Sequence, residues 1–537
     1  MRISTILPIA VLAAPLCAAG RDQPSVEGTF RVNTRLVEVD VVVHDKNGAV
    51  AGLTKNDFTV LDRGKAQKIA VFNAISAGRS TAKASPLPEG AVSNRLNRQG
   101  EEPAGATVVL WDKLNTETQD QSYVRNQVLK YLGTLKQGDQ IALYTLVKAL
   151  RVAQDFTDDP SLLVRTVERF GPEQSVNLGA ADLTDLASQI DNPVMRALGA
   201  DLSANQTMAE NTAAEMTDYS LRDRAWVTAN SLEAIAGHLA GLPGRKKLIW
   251  VSGSFPGVTL DQRNRVGTTQ IEVQDFGPHI SGAIRKLNEA NVAVYPIDPR
   301  GLTTGMNAKS GALTPGSGGL MDPSIDTMEL FAHGTGGRSF YAANDLTEAV
   351  RAAMEDDRVT YVLGFYPSDE KLDGSYHPLS VKVARKGVDV RHRDGYYSPD
   401  PRAATPGNRR EALNDVFGNP LDATQLGLLA QTTLLAGQAR EYELKLTLNA
   451  NELHFDRVKD RWVALISYAT LFTPPETTKG TWEQIRLSLT DEKLKSALQD
   501  GYAISRKIEM GDTRGELRIV VQDRTTGAAG SVRVPFK

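Results

Sequence analysis

The chain has 537 residues, which is too long for one hydrophobic core and predicts about two to four domains. Its composition, 41% hydrophobic and 23% charged, is typical of a globular protein, and a formal net charge of −3 gives no indication of nucleic-acid binding. Cys17 is the only cysteine. A mature chain that lacks it would have no disulfide, no thiolate metal ligand and no thiol nucleophile.

Residues 1–19 have the pattern of a secretory signal peptide. Arg2 begins the pattern, an apolar core covers residues 6–16, and small residues up to Ala19 give a cleavage site. Acylation of Cys17 is the alternative, although Pro15 and Leu16 are not the small residues that such a site needs. Export without disulfides favours a bacterial periplasm or the exterior. We see no other apolar stretch long enough to span a membrane.

Two separated segments, residues 25–78 and 358–399, predict short strands. The first contains the alternating and apolar run 36–43 and the Asn47-Gly48 hairpin turn, which tolerates the positive φ of a tight turn. Because two or three strands do not enclose a core, we hypothesise that the two segments form one β-sandwich. The intervening α/β domain would then be an insertion into it.

Residues 105–357 predict an α/β doubly wound, Rossmann-like domain. Its predicted strands are 108–111, 140–146, 150–154, 247–251, 292–297 and 336–341, with the third antiparallel by hairpin. Residues 171–219 predict an insertion of short helices. Lys246 and Lys247 are expected to be a solvated strand end. His333-Gly-Thr-Gly-Gly337 precedes a strand rather than a helix, so it predicts a turn and not a phosphate loop.

The C-terminal part follows a predicted linker at residues 400–430. Residues 431–537 predict a second β domain, because apolar side chains at Tyr442, Leu444, Leu446 and Leu448 alternate with polar ones. No chemistry is indicated there, so packing or interaction is its expected role.

Oxygen-bearing side chains follow three strands of the α/β domain. They are Asp112, Asn115 and Thr116 after the first strand, Ser252 and Ser254 after the fourth, and Asp298 after the fifth. In an open α/β sheet, ligands bind at the carboxyl ends of the strands. These loops therefore predict a binding site at that edge.

The pattern strand-Asp112-x-x-x-Thr116-helix resembles the start of a von Willebrand factor type A domain. Such domains typically open with Asp-x-Ser-x-Ser, whose oxygens hold a divalent cation. Over roughly residues 30–400 the chain is similar to the VWFA-related secreted proteins predicted in acidobacterial genomes. It departs from the family pattern at Leu114, which has no oxygen, and at Gly253, near the place where an aspartate usually stands.

The resemblance implies a cation site with Asp112, Thr116, Ser252 and Ser254 as ligands and with Asn115 and Asp298 as further candidates. Mg²⁺, or Mn²⁺ or Ca²⁺ in its place, would take oxygen ligands and water there. An alternative needs no metal, because an aspartate at this position also caps a following helix or accepts hydrogen bonds from loop amides. Both interpretations stay open at this point.

Three functions are compatible with these patterns. The first is an exported protein-binding or cell-adhesion module that uses the carboxyl edge of the sheet, with a protein or cell-surface ligand as partner. The second is a structural cell-envelope scaffold without a metal site, which Leu114 and Gly253 favour. The third is a metal-assisted hydrolase using Asp112 and Asp298, which the lack of a recognisable nucleophile–base pair disfavours. We therefore predict that the chain is not an enzyme.

Overall fold

The computed structural model describes much of the chain beyond residue 35. The described residues are 36–76, 87–88, 90–95, 106–133, 135, 140–173, 203–242, 244–253, 255, 259–265, 268–274, 276–299, 323–341, 351–353, 359–368, 373–398, 413–414, 416–435, 441–473, 480–509 and 515–536. The predicted signal peptide and Ser254 lie outside them.

The strands and helices are numbered in chain order. The strands are β1 (Val37–Asp45), β2 (Gly48–Ala49), β3 (Phe58–Asp62), β4 (Lys65–Gln67), β5 (Ile69–Ser76), β6 (Ala91–Ser93), β7 (Ala106–Asp112), β8 (Ile141–Leu146), β9 (Leu150–Thr157), β10 (Lys246–Ser252), β11 (Thr259–Arg265), β12 (Thr268–Gln274), β13 (Val292–Ile297), β14 (Val359–Phe365), β15 (Tyr376–Val383), β16 (Asp389–Arg391), β17 (Gly395–Tyr397), β18 (Leu428–Leu434), β19 (Glu441–Leu448), β20 (Asp456–Val458), β21 (Arg461–Thr473), β22 (Thr481–Leu489), β23 (Tyr502–Glu509), β24 (Gly515–Asp523) and β25 (Ala529–Phe536). The helices are α1 (Thr118–Leu132), α2 (Pro160–Glu168), α3 (Ser203–Leu239), α4 (Gly277–Glu289), α5 (Pro323–Thr335) and α6 (Asp491–Asp500).

The central sheet has the order β13-β10-β7-β8-β9. All its neighbouring strands are parallel except β9, which pairs antiparallel with β8. Counted along the chain within this sheet, the order is 3-2-1-4-5, as in doubly wound folds. The order reverses between β7 and β10, so the ligand-binding crevice of such a sheet lies at the carboxyl ends of these two strands.

Helices cover both faces of the central sheet. On one face, Val108, Leu110 and Trp250 pack with apolar residues of α3, α4 and α5. On the other, Val109, Trp111 and neighbouring side chains pack with α1 and α2. The sheet is therefore buried on both sides, which explains why its strands are continuous apolar runs in the sequence. The predicted doubly wound α/β class is confirmed by this arrangement.

The segments on either side of the α/β region share two sheets. β1 pairs antiparallel with β14, from Val37 opposite Phe365 to Val42 opposite Thr360, within the order β16-β1-β14-β5. The second sheet has the order β17-β15-β3-β4. A common apolar core lies between them, with contributions from both segments. We propose that the two segments fold as one domain into which the α/β region is inserted.

The C-terminal strands also form two sheets around one core. Their orders are β23-β19-β18-β6 and β20-β21-β24-β25, with β22 paired to β21. β18 begins at Leu428, inside the segment predicted to be a linker. β6, which precedes the α/β region in the chain, pairs with β18. The C-terminal sheets are thus completed by residues from the N-terminal part of the sequence.

Several local expectations differ from the structure. Residues 203–219, expected to form short helices, belong to the single 37-residue helix α3. The predicted sixth strand is reduced to one bridge between Phe340 and Ile297, and His333 to Thr335 are the end of α5. Lys246 and Lys247 are buried rather than solvated, since Lys246 Nζ donates to the Leu242 carbonyl at 2.9 Å. In the described residues, no helix is both long and apolar enough to cross a membrane.

Candidate functional site

The predicted site lies at the carboxyl edge of the central sheet, where the strand order reverses. Asp112, the last residue of β7, is directly opposite Ser252, the last residue of β10. Ile297 of β13 is opposite Val251, so Asp298 follows on the far side of Ser252. Since neighbouring strands are about 4.8 Å apart, the Cα atoms of Asp112 and Asp298 are separated by about 10 Å.

The Asp112 carboxylate is surrounded by hydrogen-bond donors. Its Oδ1 accepts from the Asn115 backbone N–H at 3.0 Å. Its Oδ2 accepts from Asn115 Nδ2 at 2.8 Å, from Ser252 Oγ at 2.9 Å and from Trp250 Nε1 at 3.0 Å. Hydrogen bonds from these donors stabilise the charged form of the carboxylate relative to the neutral form.

Burial dominates the electrostatics of Asp112. The side chain has no exposed surface. Burial raises the pKa of the Asp112 carboxyl above its ordinary value of 3.8, and the hydrogen bonds from Asn115, Trp250 and Ser252 oppose that rise. The donors are therefore needed to keep a charged group in an interior site.

Thr116 uses its hydroxyl twice within the same loop. Oγ1 donates to the Asp112 carbonyl at 2.5 Å and accepts from the Gly253 backbone N–H at 3.1 Å. The loop after β7 is thereby joined to the loop after β10. Thr116 and Ser252 are both fully buried.

The long helix α3 supplies the part of the site that the sequence did not predict. Arg224 Nε donates to Asn115 Oδ1 at 2.9 Å, and Asn115 Nδ2 also donates to Thr228 Oγ1 at 2.8 Å. Burial lowers the pKa of Arg224 to about 10, while the negative charges of Asp112 and Glu117 oppose that fall. The guanidinium is therefore charged at neutral pH, and it interacts favourably with Asp112.

Arg224 has a recognisable signal in the sequence. It precedes Thr228 by four residues and Leu232 by eight, which places it on the same face as the buried side of α3. A charged residue on an otherwise buried helical face needs a partner in the interior. That partner is the Asn115–Asp112 pair, more than a hundred residues away in the chain.

Lys113, in the same loop, is also buried, and its side chain lies on the opposite face of the sheet. Lys113 Nζ lies 4.7 Å from the Trp111 ring centroid and 5.1 Å from that of Phe170. It donates to the Gly171 carbonyl and pairs with Glu173, both at 3.0 Å. The loop is consequently fixed on both faces of the sheet.

The two departures from the family pattern have packing reasons. Leu114 is buried and joins the apolar core on the α3 face. A Cβ atom at Gly253 would lie 3.1 Å from the Asn115 carbonyl oxygen and 3.3 Å from Thr116 Cα. An aspartate at either position would therefore disturb the close packing of these loops.

The residues present do not fit a divalent cation. Both Asp112 oxygens already accept from protein donors, and the Thr116 hydroxyl both donates and accepts. A cation at Oδ2 would have to displace one of the three donors to that oxygen, and a cation at either oxygen would meet the positive charge of Arg224. Within the described ranges, no group of three or more His, Cys, Asp or Glu side chains is placed to hold a metal. Asp112 accepts from a loop amide, as the metal-free interpretation has it, whereas the N-cap of α1 is Glu117.

Comparisons with known proteins give only distant structural likenesses. No protein-family model and no curated protein matches the chain. An aerotolerance-related membrane protein from Bacteroides fragilis is 11% identical, with a TM-score of 0.24, over 47% of this chain and 98% of that chain. The vWF domain of the type V pili tip protein Mfa5 from Porphyromonas gingivalis is 13% identical, with a TM-score of 0.15, over 30% and 42%.

A third similar structure is proximal thread matrix protein 1 from the mussel byssus, with a zinc-occupied MIDAS motif. It is 8% identical, with a TM-score of 0.23, over 48% of this chain and 46% of that chain. At TM-scores this low, the likenesses carry no argument about the site. The fold assignment rests on the strand order and the two covered faces of the sheet.

Proposed function

We propose that this chain is an exported binding protein whose α/β domain is of the von Willebrand type A kind. It recognises a protein or cell-surface ligand at the carboxyl edge of the sheet, and it does so without a resident metal ion. The observation that carries the proposal is a stripe of exposed aromatic and apolar side chains on α3, beside the closed network around Asp112.

The stripe consists of Met216, Tyr219 and Trp226. Their exposed fractions are 51%, 71% and 54%. Spacings of three and seven residues place them on one face of α3. Thr228 contacts Asn115 at the end of the sheet, and Tyr219 lies nine residues earlier, which is about 14 Å along the helix axis.

Side chains of this kind are typical of protein interfaces. Trp, Tyr and Met are enriched at interface centres, where Trp and Tyr supply much of the binding free energy. Neighbouring exposed apolar and aromatic side chains often mark an interaction site. The network of Asp112, Asn115 and Arg224 would hold α3 against the sheet and so fix the position of the stripe.

The hydrolase alternative has little support in this geometry. Asp112 is buried and its oxygens are occupied by protein donors. Asp298 is separated from it by β10, at about 10 Å between Cα atoms. A buried and hydrogen-bonded Asp112 carboxylate is poorly placed to act on a substrate.

Photo-crosslinking tests the binding proposal. A photoreactive amino acid replaces exposed Asn230, which is four residues from Trp226 on the same face. The chain is then irradiated in its native cells with Trp226→Ala and with Trp482→Ala as the control. Trp482 is equally exposed, at 59%, but lies on β22 of the C-terminal sheets.

We expect a discrete adduct that Trp226→Ala abolishes, that Trp482→Ala retains, and that EDTA leaves unchanged. An adduct lost in EDTA and restored by Mg²⁺ would support the cation-dependent function instead. Absence of any adduct above background would support the envelope scaffold. Circular dichroism of each variant checks that the fold is retained.

Export is proposed on the sequence pattern of residues 1–19. The mature N-terminus tests it, because cleavage after Ala19 gives a chain that begins at Gly20. Intact mass of the protein from the periplasmic and medium fractions would show this N-terminus and distinguish the two locations. Recovery of the chain with Met1 retained would contradict export by this route.

A further inference from the structure

A cleft lies at the opposite edge of the α/β domain, between its helices α4 and α5 and the strands β15 and β17. Its volume is about 560 Å³, within the usual range of ligand sites. Its lining includes Glu329, Leu330, His333, Tyr376, Asp394 and Tyr397. None of these residues belongs to α3, so the cleft is separate from the exposed stripe on that helix.

Two tyrosines form one wall of the cleft. Tyr376 of β15 and Tyr397 of β17 are register partners, and their ring centroids are 5.1 Å apart. Tyr376 is 40% exposed, so part of its ring is open to solvent. The Arg285 guanidinium carbon lies 5.8 Å from the Tyr397 centroid. One cationic side chain of the protein itself, Arg285, therefore already lies near this pair of tyrosine rings.

Two carboxylates lie in the lining of the cleft. Asp394 and Glu329 both line the cleft, and the Tyr341 hydroxyl is hydrogen-bonded to Glu329. Burial raises the pKa of the Asp394 carboxyl, and the neighbouring charges of His333 and His392 oppose that rise. Leu330 and His333 belong to the last turns of α5, whose carboxyl end carries partial negative charge that favours cations.

The remaining lining is apolar. Leu330 is 57% exposed on α5, and Ile284 of α4 lies beside it. A volume of about 560 Å³ exceeds that of a single side chain, so the cleft has room for a short peptide segment. Its chemistry suits a basic side chain next to an apolar one.

We propose that this cleft binds a basic segment of a partner protein. A lysine or arginine side chain would lie on the Tyr376 ring, with its charge near Asp394 and Glu329, and an adjacent apolar side chain would contact Leu330. Cation–π attraction and the opposite charges then act on the same group. The inference is independent of the binding function proposed for the carboxyl edge.

Calorimetric titration of the full chain with short peptides tests the proposal. The probe is acetyl-Gly-Leu-Lys-Leu-Gly-amide, and the matched control peptide carries glutamine in place of lysine. The protein variants are Asp394→Asn and Tyr376→Leu, with Asp460→Asn as the control. Asp460 is an exposed carboxylate in the turn between β20 and β21, so its loss changes the net charge equally.

We expect saturable binding of the lysine peptide and binding about tenfold weaker for the glutamine peptide. Asp394→Asn and Tyr376→Leu should each weaken binding of the lysine peptide by a similar factor, whereas Asp460→Asn should leave its affinity unchanged. A third peptide, with arginine in place of lysine, should bind with an affinity similar to that of the lysine peptide. Equal binding of the lysine and glutamine peptides, no binding of either, or unchanged affinity in Asp394→Asn would overturn the proposal.

Discussion

One aspartate at the end of a central strand serves different purposes according to the donors and charges around it. Asp112 has four protein donors and a buried guanidinium nearby, joined through Asn115. Three of the donors bond Oδ2 and one bonds Oδ1, so both oxygens of this buried carboxylate are hydrogen-bonded and its charge is compensated in the interior. The positive charge of Arg224 therefore favours the charged form of Asp112.

Replacement of the single residue Arg224 should lower the free energy of unfolding. Arg224→Met keeps most of the side-chain length but leaves the Asp112 charge without its buried counter-charge, for which we expect a loss of about 3 kcal/mol. Arg222→Met on the same helix is the control, since Arg222 is exposed and should change stability by less than about 0.5 kcal/mol. Urea unfolding followed by tryptophan fluorescence measures both. Equal effects of the two substitutions would contradict the role given to Arg224.

The pH dependence of stability should carry the signature of Asp112. Because burial raises its folded-state pKa above 3.8, the native state binds a proton more tightly than the unfolded chain. The contribution of Asp112 therefore favours the native state below the raised pKa and declines as pH rises through it. Relative to Asp112→Asn, the wild-type chain should lose stability as pH rises from 3.8 through the raised pKa, as measured by thermal unfolding. A relative gain with rising pH would instead indicate a lowered pKa.

At the scale of elements, α3 links the site to two other parts of the molecule. Its middle contacts the Asp112 loop through Arg224 and Thr228. Its carboxyl end contacts the C-terminal sheets, since the Thr424 hydroxyl donates to the His238 carbonyl at 2.7 Å. The position of the exposed stripe thus depends on packing at both places.

Two glycines near the end of α3 should respond oppositely to alanine. A Cβ at Gly237 meets nothing within 4 Å, so Gly237→Ala should stabilise the helix by about 0.5–1 kcal/mol. A Cβ at Gly241 would collide with the Thr424 carbonyl, so Gly241→Ala should cost about 1–3 kcal/mol. Thermal unfolding of the full chain compares them. Effects of the same sign would show that α3 does not contact residue 424 in this way.

Strands and their ends were the elements that the sequence predicted best. Apolar runs such as 247–251 and 292–297 are continuous because both faces of the sheet are buried, and this also placed Asp112, Ser252 and Asp298 at one edge. Asn115 and Ser252 were predicted as ligands of the same cation as Asp112, whereas the structure shows them as hydrogen-bond donors to Asp112; Trp250 and Arg224 were not predicted as part of the site. Arg224 comes from a helix far along the chain, and its contact depends on the tilt and rotation of that helix rather than on any local pattern.

At the scale of the whole molecule, segments that are far apart in the chain contribute strands to the same sheets. β1 pairs with β14 across the α/β region, and β6 pairs with β18 of the C-terminal sheets. The sequence suggested the first pairing, because each half had too few strands for a core. It did not suggest the second, because Ala91–Ser93 is short and lies in a segment rich in Ala, Ser, Pro and Gly.

Limited proteolysis tests these pairings in the full chain. If strands from residues 36–95 are shared with both sets of sheets, a cut between residues 96 and 105 should leave the N-terminal fragment bound to the remainder. Size-exclusion chromatography of the cleaved protein should then give one peak that contains both pieces. Elution of the N-terminal piece as a separately folded fragment would contradict the proposed two-segment sandwich.

Calorimetric titration with Mg²⁺, Mn²⁺ and Ca²⁺ tests most directly the proposal that the carboxyl edge of the sheet holds no metal ion. The mature chain and Asp112→Asn are titrated side by side, each to millimolar metal. We predict no saturable heat that distinguishes the two proteins, because the Asp112 oxygens are already occupied by protein donors. Saturable binding to the wild-type chain that disappears in Asp112→Asn would show that a cation displaces those donors, and would contradict metal-free binding at this edge.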